Sequence, residues 1–330
     1  MINLDEIGKD LVKWLQTLYV EENGRGGYRM SNLKKANLLS TTDAAWLLYA
    51  MNNLEVVTEH HRKVWVQWLL DEQNKADGHY AYTDDVGKGN MHSNGHAFWH
   101  SNRALGILGS EISVFPELLR PAMSVEGLKN WFIEWGKKPN ETHHDVLGLV
   151  PLLANTKNQE WIDCYFEEIS KQQNPQTGTW PKNTTNVNIS RTFAYSVLFR
   201  AVGRMPPQPE KIIDAMLSLQ SDSGLWRDSN HSYFSSMDAV YILVRLPKLV
   251  NHKTDESVLA LRKALEGFQK VYATEISFLK ENTHAMLSVV HALGLLCEAF
   301  PGEFLYSKPW RFDWDKPALF QCGLLRNAIP

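Results

Sequence analysis

The sequence predicts an all-α protein, an (α/α)6 toroid of six helical hairpins with an extended C-terminal tail. Segments with apolar residues on one helical face alternate with segments apolar nearly all round. A short Gln-to-aromatic turn recurs between them, and no long run of alternating apolar and polar residues marks a strand.

In chain order, the one-sided stripes are Leu4, Ile7, Leu11, Trp14, Leu15 and Leu18; Val64, Trp65, Trp68 and Leu69; Leu128, Trp131, Phe132 and Trp135; Trp161, Tyr165 and Ile169; Ile213, Met216 and Leu217; and Val258, Leu261, Leu265 and Phe268. Each precedes one apolar segment: Ala44–Ala50, Ala104–Leu108, Val146–Leu153, Thr192–Phe199, Ala239–Val244 and Ala285–Leu296. A helix apolar on every side is buried on every side, so the alternation reads as an outer ring touching water and an inner ring around a central cavity. Closure needs all six hairpins, which makes residues 1–300 one domain although a chain of 330 residues leaves room for two. The pattern stops after Pro301, and residues 301–330 read as a tail packed on the toroid.

The turn occurs three times, from Gln73 to Tyr80, Gln173 to Trp180 and Gln220 to Trp226, with Gly78, Gly178 and Gly224 two residues before the aromatic. Trp180 and Trp226 lie 46 residues apart and Tyr80 lies 100 before Trp180, near two repeat lengths.

Composition narrows the function. With 34 Lys and Arg against 37 Asp and Glu and no run of like charge, affinity for nucleic-acid phosphates or an anionic membrane is not expected. No apolar run approaches the roughly 20 residues of a transmembrane helix. The start, Met1 to Glu6, enters an amphipathic helix pattern without a signal-peptide profile. Cys164, Cys297 and Cys322 are odd in number and lack metal-like spacing, so reduced thiols and a cytoplasmic location are expected.

Ahead of each apolar segment stands a polar or ionisable residue: Asp43, His100, Asp145, Arg191, Asp238 and His284. Their spacings are 57, 45, 46, 47 and 46, so the repeat carries them to the amino-terminal ends of the inner helices, converging on one mouth. Taken singly, Asp43 and Asp238 read as N-caps. His100, Arg191 and His284 do not, because a cation there opposes the helix dipole, and cavity chemistry is the better account. The first gap carries about 11 extra residues around Asp84, Asp85 and Gly87, a loop over the mouth in which Asp85 is a candidate acid. His92, His96 and His100 recur at zinc-like intervals. Gly95 interrupts that helix and no further ligand has diagnostic spacing, so His96 and His100 are read as hydrogen-bonding or acid–base groups, with no metal or cofactor expected. His143, His144 and Asp145 form a second cluster, in which His144 is a candidate substrate contact. His60 and His61 are expected to face solvent. Trp65, Trp68, Trp131 and Trp135 lie on stripes and read as core, whereas Trp46, Trp99, Trp180 and Trp226 are placed to line a cavity.

At Gln173–Trp180 and Gln220–Trp226 the sequence resembles two superfamilies with this helical toroid. One is the terpenoid cyclase and protein prenyltransferase group, with its QW repeats. The other is the six-hairpin glycosidase-like group, including unsaturated-uronyl hydrolases, sugar epimerases and polysaccharide lyases. The resemblance spans most of the chain in repeat length but only the turns in residues. Of the Asp-x-Asp-Asp acid motif of class II cyclases only Asp84 and Asp85 stand, after Thr83, and no prenyltransferase-like Asp, Cys and His zinc set can be placed. The first expectation is therefore an enzyme that hydrolyses, eliminates or epimerises a saccharide. Asp145 or Asp238 and His100 or His284 would move protons, Arg191 would clamp an anionic group, and Asp43, His96 and the four tryptophans would shape the site. The second is an isoprenoid cyclase or isomerase with an aromatic cavity, and the third a non-catalytic binding protein. A small molecule or oligosaccharide is the expected partner; the oligomeric state is left open.

Overall fold

The computed structural model describes residues 1–82, 94–136, 143–182, 187–226, 233–326 and 328–329, and these are mostly helical. The helices are α1 (Leu4–Leu18), α2 (Leu38–Ala50), α3 (Glu59–Glu72), α4 (Asn94–Ile107), α5 (Val125–Gly136), α6 (His143–Gly148), α7 (Val150–Asn155), α8 (Gln159–Lys171), α9 (Ile189–Ala201), α10 (Pro209–Ser218), α11 (Phe234–Arg245), α12 (Pro247–Val250), α13 (Thr254–Leu279) and α14 (Thr283–Ala299). The one-sided stripes fall on α1, α3, α5, α8, α10 and α13. The all-round apolar segments fall on α2, α4, α6 with α7, α9, α11 and α14. The third apolar segment is divided at Leu149, and Pro151, which has no N–H to donate, sits in the first turn of α7.

The sequence underrates one strand signal. Strands β1 (Ile2–Asn3) and β4 (Phe304–Leu305) pair in parallel, while β2 (Tyr19–Glu22) and β3 (Arg25–Tyr28) form a hairpin. Its two-residue loop is Asn23-Gly24 with φ of 53° and 74°, the twist that two-residue hairpin loops favour.

The chain forms two compact units, one of Met1–Thr17, Leu47–Leu54 and Gln172–Asp315, the other of Leu18–Trp46, Glu55–Lys171 and Lys316–Pro330. In the first unit α9, α11 and α14 are buried along almost their whole length, and α10 and α13 turn Ile212, Ile213, Met216, Leu261, Leu265 and Phe268 inward. Each such side chain contributes about 1.5–3 kcal/mol by leaving water. The chain after β4 lies across helix C-terminal ends: Arg311 donates to the carbonyls of Ala50 (2.9 Å) and Tyr49 (3.1 Å), where a cation also complements the dipole. Asp315 accepts from the Tyr241 hydroxyl at 3.3 Å, and Phe312 and Trp314 pack on Phe193, Tyr241 and His291.

In the second unit the hairpin packs on α3, α4 on α6, and α5 on α8. Here too the tail covers helix C-terminal ends. Asn155, the last residue of α7, donates to the Phe320 carbonyl (2.9 Å) and accepts from the Cys322 N–H (2.8 Å). The tail is thus part of both cores.

The Gln-to-aromatic turn works as a lock. The Gln73 amide donates to the carbonyls of Gly78 (3.1 Å) and Val114 (2.9 Å), Gln173 to Gly178 (2.7 Å) and Pro207 (2.6 Å), and Gln220 to Gly224 and Ala260 (both 2.8 Å). One side chain therefore closes its own turn and ties it to the segment that follows. Gly224 has φ +83° and approaches the Lys263 backbone so closely that any Cβ would collide.

The closing aromatic is fixed from the next helix. The Trp226 N–H donates to Ser236 Oγ (2.9 Å), which returns a bond to the Trp226 carbonyl (2.9 Å). Thr192 Oγ1 accepts from the Trp180 N–H at 3.2 Å. Tyr28 and Thr41 exchange the same two bonds at 3.0 and 3.1 Å, a third aromatic bracket that lacks the Gln and is invisible as a repeat in the sequence.

Candidate functional site

Asparagines, not aspartates, cap three of the helices that carry the all-round apolar segments, α2, α9 and α14. Asn37 accepts from the Ser40 N–H (2.9 Å), Asn188 from Arg191 (2.9 Å), and Asn282 from His284 (2.9 Å) and Ala285 (3.2 Å). The capping reading of Asp43 and Asp238 is thereby corrected: both sit a turn inside their helices, buried. Each lies two residues after its bracketing hydroxyl, Thr41 or Ser236, so these two share a register. Arg191 precedes Thr192 and stands three residues earlier, which breaks the uniform six-position spacing.

In the second unit, Asp43 and Trp46 lie one turn apart on α2, while His96, His100 and Arg103 recur along one face of α4. Asp43 Oδ1 is 4.0 Å from His100 Nδ1, with the two side chains 0% and 1% exposed. That distance is beyond a hydrogen bond but within reach of an ion pair. The rings and the guanidinium form one cluster. His96 lies 4.2 Å from His100, His100 stacks on Trp46 at 4.9 Å and 14°, and the Arg103 guanidinium lies 4.2 Å from the Trp46 ring. Tyr82 Oη is 2.8 Å from His96 Nδ1, and Phe320 lies 5.3 Å from the guanidinium and stacks on Trp99 at 6.1 Å.

Trp46 and Trp99 were expected to offer indole faces to a ligand. In the structure Trp46 packs against both His100 and Arg103, and Trp99 stacks on Phe320. Trp180 and Trp226 are fully buried at the ends of their turns, the latter with its indole N–H on the Met216 carbonyl at 2.7 Å.

In the first unit, Asp238 takes a hydrogen bond from Ser190, whose lowering pull is outweighed: burial pushes the carboxyl well above the usual carboxylate range and favours the neutral acid. Burial lowers the Arg191 guanidinium from its ordinary value, opposed by Tyr195. His284 packs on Phe234 at 4.4 Å. Asp85 lies outside the described residues, as do the side chains of His144 and Asp145. Among the described residues no group of three or more His, Cys, Asp or Glu could hold a metal ion. His61, expected to face solvent, is instead partly covered, 4.0 Å from Tyr19 and 5.5 Å from Trp65.

Sequence reasoning missed Tyr82, Arg103 and Phe320. Arg103 was within reach, since it follows His96 and His100 on the same helical face; Phe320 joins them only through the fold. Compared with known protein families, curated proteins and solved structures, the chain matches none.

Proposed function

We propose that the twelve repeat segments belong to an (α/α)6 toroid and that the protein is an enzyme acting on a saccharide by general acid–base chemistry. His100 is the proton-transfer group and Asp43 the carboxylate behind it. The observation that carries this reading is the buried Asp43–His100 pair, 4.0 Å apart. A carboxylate on the Nδ1 side favours the imidazolium and leaves Nε2 to move the proton, to a leaving glycosidic oxygen or from an attacking hydroxyl. Such pairs are often loose without substrate and tighten in the complex. The neighbouring His96, at its Tyr82 contact, supplies a second imidazole.

A cyclase-like reading is favoured by one observation, the buried Asp238, whose carboxyl is pushed up by burial toward the protonated form that can protonate an alkene. Against it, the Trp46 ring is already occupied by the Arg103 cation, and aromatic faces are what a carbocation needs. The saccharide reading is the stronger.

The full-length protein is incubated with neutral and uronic-acid oligosaccharides and, separately, with linear isoprenoids, and products are followed by mass spectrometry. Turnover of a saccharide that is lost in His100→Gln, with a preserved thermal transition, is expected. Turnover of isoprenoids alone, or undiminished saccharide turnover in the variant, overturns the assignment.

A further inference from the structure

The second unit holds a charged group that the proposed chemistry does not use: Arg103, buried one turn below His100. Its guanidinium packs against two rings, 4.2 Å from Trp46 and 5.3 Å from Phe320. Trp46 in turn stacks with His100, nearly parallel at 14°. Phe320 comes from the C-terminal segment, which Asn155 holds through the Phe320 carbonyl (2.9 Å) and the Cys322 N–H (2.8 Å). The Gly323 N–H is also bound by Glu111.

We infer that Arg103 and Phe320 are positioning residues for His100: the C-terminal segment seats Phe320 against Arg103, the guanidinium supports the Trp46 plane, and that plane holds the imidazole toward Asp43. The role rests on the acid–base reading of His100, but the mechanical link does not. A planar, delocalised guanidinium suits a stacked layer in a way that an ammonium does not, so charge alone does not replace it. Trp46 is a single rigid plate: a tilt imposed at Arg103 reaches His100 undiminished. Misplacing a reacting group by about 1 Å costs roughly 10²-fold in rate.

The test uses the full chain labelled with 13C and 15N at histidine. The His100 ring resonances, identified by their loss in His100→Gln, carry the ring-current shift of stacking on Trp46. In Arg103→Lys and in Phe320→Leu that shift is expected to collapse while the remaining histidine resonances stay in place; Phe320→Tyr, which keeps the ring, retains it. On the saccharide turned over by the wild type, Arg103→Lys lowers kcat by about 10²-fold with KM unchanged. Should one variant lose the folded spectrum, the other carries the test. An unmoved His100 shift in either folded variant overturns the inference. A collapsed shift with unchanged kcat preserves the mechanical link and instead sinks the acid–base reading of His100.

Discussion

Asp43 and Asp238 occupy the same register, each two residues after a helix hydroxyl that brackets an aromatic turn, and both are buried. Their surroundings differ. Asp43 faces an imidazole at 4.0 Å; Asp238 has the hydroxyl of Ser190, and its environment favours the protonated acid. One repeat position thus carries two different settings, an imidazole beside one carboxyl and a hydroxyl beside the other.

The largest effect that sharpens this contrast is on catalysis. On the proposed acid–base reading, Asp43→Asn keeps the shape but replaces the carboxyl group beside His100, and kcat/KM on the saccharide is expected to fall about 10²–10⁴-fold. A variant as active as the wild type would remove Asp43 from the mechanism.

Asp238→Asn acts instead on stability and its pH dependence. The folded-state pKa is raised, so above the unfolded carboxylate value the native state keeps a proton that the unfolded chain has lost, and stability falls as pH rises toward the folded value. The slope is up to about 1.4 kcal/mol per pH unit over that window. Urea denaturation from pH 4 to 8 is expected to show the wild type losing stability relative to Asp238→Asn; parallel curves would mean that Asp238 is charged.

Smaller losses come from the brackets. Ser236→Ala or Thr41→Ala leaves a buried backbone N–H unsatisfied, and each is expected to cost about 1–3 kcal/mol. Loss of hydrogen-exchange protection at the Trp226 or Tyr28 amide localises the damage. The smallest effect is at the caps: Asn188→Ala or Asn282→Ala should lower stability by about 1 kcal/mol, measured by thermal unfolding. A loss of 3 kcal/mol or more would assign these asparagines a further role.

The helices were legible because their signals are local. The stripe Val64, Trp65, Trp68 and Leu69 and the apolar run Ala285–Leu296 each sit where a helix of the matching burial is found. The Gln turns were visible for the same reason, although their function as locks depends on Val114, Pro207 and Ala260, which lie far ahead in the chain. The caps were misassigned because Asn and Asp have nearly equal preference there, and Asn37 lies six residues before Asp43. His96 and His100 were found by their spacing. Phe320 was not, because it reaches Trp99 and Arg103 only through the path of the tail, which no periodicity encodes.

Each Gln lock reaches forward and never back. Gln173 ties its turn to the stretch entering α10, and Gln220 ties the next turn to α13. Coupling between neighbouring modules is the ingredient of a one-dimensional cooperative chain, in which opening spreads from a weakened joint to the adjoining module first. A nick at one turn is therefore a directional event: Gln173→Ala should expose the amides of α10 to exchange before those of α14, so that fraying has a place to start and an order in which to proceed.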